Sequence, residues 1–91
     1  MVSCWNVVGK GNGSIIYTVN LPTGVVNRHS VVVASMCELS QPPGEALDYP
    51  FIGAAPMVVQ NIAPQDNNTV MLRINIDWGS PLNYKINLMI C

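Results

Sequence analysis

Val70-Met-Leu-Arg-Ile-Asn-Ile-Asp-Trp-Gly-Ser-Pro-Leu-Asn-Tyr-Lys-Ile-Asn-Leu-Met-Ile90 alternates apolar and polar residues twice, on either side of a Trp78–Pro81 break. In the first half Val70, Leu72, Ile74, Ile76 and Trp78 stand opposite Met71, Arg73, Asn75 and Asp77. In the second, Leu82, Tyr84, Ile86, Leu88 and Ile90 oppose Asn83, Lys85, Asn87 and Met89. A period of two held over that length is a β-strand with one buried and one wet face, not a helix.

The same pattern extends upstream. Ile15, Tyr17, Val19 and Leu21 share one face of a strand over residues 15–21. The segment His29 to Leu39 holds Val31-Val-Val-Ala34, apolar on both sides, which predicts a central strand or a subunit contact. Shorter strands are predicted at Cys4 to Val8 and Met57 to Ile62. Between them, Gly9-Lys-Gly-Asn-Gly13 reads as a hairpin loop, and Pro22-Thr-Gly24 and Ala63 to Asn68 read as turns. Residues 40–55, with Pro42, Pro43 and Pro50, read as one long functional or interfacial loop. The expectation is an all-β fold: a six-stranded antiparallel β-sandwich forming a single domain over residues 1–91.

Composition narrows the function. Apolar residues reach 49% and charged residues only 10%, far fewer than a soluble domain ordinarily spreads over its surface. Ten Asn supply most of the polarity, so part of the surface is expected to be covered by further copies of the chain. The expected assembly is a homo-oligomer: a trimer, a multiple of it, or a dimer. Lys10, Arg28, Arg73 and Lys85 are scattered too widely for a phosphate-binding patch, so no nucleic-acid partner is expected. No apolar run has the length of a membrane span. The start Met-Val-Ser-Cys-Trp5 lacks a signal core, which predicts a cytoplasmic protein or one whose leader precedes this sequence.

Catalytic groupings are sparse. The single histidine, His29, opens an apolar strand, and Glu38, Glu45, Asp48, Asp66 and Asp77 form no spaced acid–base pair. Cys4, Cys37 and Cys91 have no metal-ligand spacing; they read as buried thiols, with a Cys4–Cys91 link as the alternative. No catalytic residue, metal or cofactor is therefore expected. An enzyme using His29 with a cysteine is the minor alternative. The sequons at Asn12 and Asn67 matter only in a secreted chain.

Binding has a better basis. If the last two strands pair through Trp78–Pro81, their wet faces join Arg73, Asn75, Asp77, Asn83, Lys85 and Asn87 in one polar patch. Amides offer the directed donors and acceptors that sugar hydroxyls need, and Trp78 or Tyr84 could stack on a pyranose ring. Their parity with the core residues favours the opposite orientation, inward.

The segment Asp77-Trp-Gly-Ser-Pro-Leu-Asn-Tyr84 with Lys85 to Ile90 resembles the closing strands of the H-type lectins, the snail-agglutinin and discoidin C-terminal family. Val31 to Ser35 and Val58 to Pro64 look like two further strands of that family, so the resemblance covers roughly residues 29–90. It implies a six-stranded sandwich, trimeric or hexameric, that binds galactose-type sugars near subunit borders. Tyr84 matches the family motif. Gly79 stands where the family has a sugar-contacting His, and Ala54 or Ala55 where it has an Arg. The carbohydrate site expected on these grounds comprises Arg73, Asn75, Asp77, Trp78, Gly79, Asn83 and Tyr84, with glycans as partners. The alternative is a non-catalytic structural or interaction module, such as a phage or virion component.

Overall fold

The two segments with the strictest alternation become central strands, one in each of two antiparallel sheets. The computed structural model describes residues 2–91. Its strands are β1 (Ser3–Gly11), β2 (Gly13–Asn20), β3 (Val32–Ser40), β4 (Tyr49–Phe51), β5 (Met57–Pro64), β6 (Thr69–Ile76) and β7 (Leu82–Ile90). One sheet has the order β1-β7-β3-β4 and the other β2-β6-β5, and every pairing is antiparallel.

The sheets enclose one core. Val70, Leu72, Ile74 and Ile76 of β6 and Tyr84, Ile86, Leu88 and Ile90 of β7 are fully buried in it, with Val19 and Val26. These residues are the same-parity sets of the two alternating runs, and both strands have a neighbour on each side. Each such Leu or Ile side chain gains about 1.5–3 kcal/mol on leaving water. The result is a flat slab with extents of 40 × 27 × 16 Å.

Several sequence expectations are corrected here. The described residues form seven strands, because Tyr49–Phe51 inside the long irregular stretch pairs with Glu38–Ser40 of β3. The third strand starts at Val32, not His29. Asn27 Oδ1 accepts from the His29 N–H at 2.8 Å and Ser30 Oγ accepts from the Asn27 N–H at 3.0 Å. That local turn takes backbone groups a ladder would use. Gly9 and Gly11 lie within β1, and the turn at Asn12 carries the chain from one sheet to the other instead of closing a hairpin. Gly13 allows this crossing with φ of 72°.

The largest correction concerns β6 and β7. They do not pair; Trp78–Pro81 also crosses between sheets, β6 pairing with β2 and β5 while β7 pairs with β1 and β3. The Ala63–Asn68 segment does close a hairpin, between β5 and β6, with Asn68 at φ 64° and the Gln65 N–H donating to Thr69 O at 2.9 Å.

Candidate functional site

Alternation turns one set of side chains on β1, β7 and β3 away from the core, and register aligns them in rungs across the outer face. One rung is Cys4–Met89–Val33, the next Asn6–Asn87–Ser35, the next Val8–Lys85–Cys37. Beyond the first rung, Val31 and Cys91 exchange backbone hydrogen bonds of 3.3 and 2.9 Å. A shallow groove of about 300 Å³ follows the first two rungs.

This face is apolar for a solvent-facing sheet. Val31 is 62% exposed, Val33 55%, Val8 52% and Met89 44%. Among the described strand residues on it, Lys10 and Lys85 carry the only charges. Asn6, Asn87 and Ser35 form an uncharged polar rung between the apolar Cys4–Met89–Val33 rung and the rung that holds Lys85. All three cysteines share the parity of this face and are unlinked, with Cys4 and Cys91 exposed. The reading of them as buried thiols is thus corrected for Cys4 and Cys91, and no Cys4–Cys91 link is present.

The residues expected to bind sugar are not brought together. Arg73 and Asn75 lie on the outer face of the three-stranded sheet, where Arg73 Nη1 donates to Asn61 Oδ1 at 3.4 Å. Asn83 lies on the outer face of the four-stranded sheet, across the thickness of the slab. Asp77, Trp78 and Gly79 sit in the connection between the sheets. The Asp77 N–H donates to Pro56 O at 3.0 Å, and Trp78 O accepts from Asn12 Nδ2 at 3.2 Å. Trp78 is 45% exposed, so its inward parity is not kept once the ladder ends at Ile76. Tyr84 is 2% exposed and offers no face to a ligand. Burial, and then the neighbouring Tyr17, raise its phenol pKa above the ordinary 10.0.

The remaining titratable groups are dispersed. His29 Nε2 accepts from Arg28 Nε at 3.2 Å, and Arg28 pairs with Asp66 at 3.5 Å on an open surface. Tyr49 donates to Glu45 Oε2 at 3.0 Å; that bond, then burial and then Asp48 raise its phenol pKa. Among the described residues no three His, Cys, Asp or Glu side chains gather as metal ligands. Nothing in the sequence alone marks Asn6 and Ser35 as neighbours of Asn87, because their meeting depends on the strand order β1-β7-β3. Alternation within Cys4 to Val8 gives the parity of Asn6 but not its neighbours.

The chain matches no family model, no curated protein and no solved structure in comparisons with each.

Proposed function

We propose that this chain is a β-sandwich association domain, a non-catalytic subunit or docking module that contacts other protein chains through the outer face of β1, β7 and β3. The observation that carries this reading is the exposure of Val31, Val33, Val8 and Met89 on one sheet face that holds two lysines and no strand carboxylate. Aliphatic side chains arranged in rungs suit sheet-on-sheet packing against another protein. The low charge of the whole chain points the same way. Sedimentation of the native chain beside Val33→Asp tests it. Burying one carboxylate on that face should remove the association made through it and shift the chain towards smaller species, since an unpaired buried charge costs several kcal/mol.

A second reading, saccharide binding in a multivalent lectin, rests on the Asn6–Asn87–Ser35 rung. Three uncharged hydrogen-bonding side chains lie beside the apolar Cys4–Met89–Val33 rung in one groove, matching the hydroxyl rim and C–H face of a sugar. The groove has no exposed aromatic ring, which ranks this reading second. Monosaccharide titration followed at the Asn6 and Asn87 side-chain amides tests it; unchanged amide resonances at saturating sugar reject it.

A further inference from the structure

In an antiparallel ladder alternate residues direct both N–H and C=O to the same neighbour, so an edge strand leaves every second residue unpaired. The Leu21 N–H donates to Asn68 O at 2.9 Å and extends the β2–β6 ladder by one pair. Odd-numbered β2 residues therefore bond to β6, and Ser14, Ile16, Thr18 and Asn20 point their backbone groups outward. The Asp77 N–H on Pro56 O agrees, since it assigns odd β6 residues to β5 and even ones to β2. Likewise, the reciprocal Val31–Cys91 bonds assign odd β7 residues to β3 and even ones to β1. Cys4, Asn6, Val8 and Lys10 are thereby left facing outward. Among the described residues nothing pairs with these sides of β1 and β2.

The opposite side of the slab is guarded in part, since β4 pairs with β3 only at Glu38–Ser40. There β5 carries a bulge between Val59 and Asn61 and ends in Pro64, and β4 covers the end of β3. Bulges, prolines and covering segments are what keep sheet edges from pairing. Strand β2 has no charge, no proline and no register shift over eight residues.

We infer that the β1 and β2 edges pair with the same edges of a second copy, joining each sheet to its counterpart across one two-fold axis. This rests on the reading as an association domain but not on the sheet face invoked there. Val7 and Tyr17 lie equally far from the Asn12 turn, so a single axis passes beside both. Tyr17 then opposes Tyr17 of the second copy, Ile16 opposes its Thr18, and Ser14 its Asn20. In β1, Lys10 opposes Cys4 of the second copy, so no like charges meet. Each strand pair forms about eight backbone hydrogen bonds. Nine strand residues span about 30 Å. With the 16 Å thickness of the slab, the contact covers roughly 500 Å² per copy, at the lower limit for a specific dimer. A concentration-dependent dimer follows.

Amide hydrogen exchange at micromolar and millimolar protein tests the pairing directly. The amides of Ile15, Tyr17 and Val19 should be protected at both concentrations. Those of Ser14, Ile16, Thr18 and Asn20 should gain about tenfold or more protection only in the concentrated sample. Sedimentation should show that Thr18→Pro abolishes the dimer. Ile16→Lys with Thr18→Lys should do the same without touching the β2–β6 ladder, which covers the case where the proline unfolds the strand. Even-numbered amides that stay unprotected at millimolar protein overturn the pairing. A dimer that survives both edge variants but is lost in Val33→Asp also overturns it, and leaves the face reading standing. Loss in the edge variants alone supports the pairing and rejects the face.

Discussion

The Tyr84 ring occupies the space above Gly9, its partner across the β1–β7 ladder: a Cβ on Gly9 would lie 2.6 Å from both Cζ and Oη of Tyr84. Glycine is needed there for its missing side chain. Gly9→Ala is expected to cost about 1–3 kcal/mol by overpacking. Combining it with Tyr84→Leu should be far from additive, because the two positions share one volume. Urea denaturation of the two single variants and the double variant checks this.

The same burial makes stability depend on alkaline pH. Tyr84 titrates above 10.0 when folded and near 10.0 when unfolded. Its contribution is fully present below pH 10 and is lost as pH rises through the folded pKa, since the unfolded chain releases its proton first. Urea midpoints measured above pH 10 should fall less steeply in Tyr84→Phe than in the native chain. Equal slopes in the two proteins would show that the ring titrates freely.

Central strands should be far more sensitive than outward positions. Ile74, wholly buried in β6, is expected to cost about 2–5 kcal/mol when cut to Ala. Ile16, 61% exposed on β2, should cost under about 1 kcal/mol in dilute protein. Chemical denaturation of both variants at micromolar concentration measures the contrast.

The thiols provide an independent check on the four-stranded sheet. Cys4 and Cys91 are exposed and should react with a thiol reagent in the folded protein, while half-buried Cys37 reacts more slowly. A folded chain with one reactive thiol would instead point to the Cys4–Cys91 link.

These tests fall where sequence and structure part company. Alternation in residues 70–76 and 82–90 identifies both central strands and their buried sides, because a period of two is set by the chain itself. Strand neighbours are set by the whole fold. Thus Trp78–Pro81 reads equally well as a hairpin or a crossing, and the crossing sends Arg73 and Asn83 to opposite faces. Tyr84 keeps its parity and is buried, whereas Trp78 lies past the end of β6 and turns outward. The three-residue β4 is invisible to periodicity, since Tyr49-Pro-Phe51 is too short to show one. The Asn6–Asn87–Ser35 rung needs three strands from distant parts of the chain to be placed side by side.

The reading as an association domain meets its most direct test in sedimentation of the native chain against Val33→Asp. The native chain should form species larger than the monomer as concentration rises. Val33→Asp should shift them towards smaller species while keeping its circular dichroism and urea midpoint, because Val33 is an outward-facing side chain. A native chain that stays monomeric at millimolar concentration, or a variant that associates as strongly as the native chain, would contradict the account.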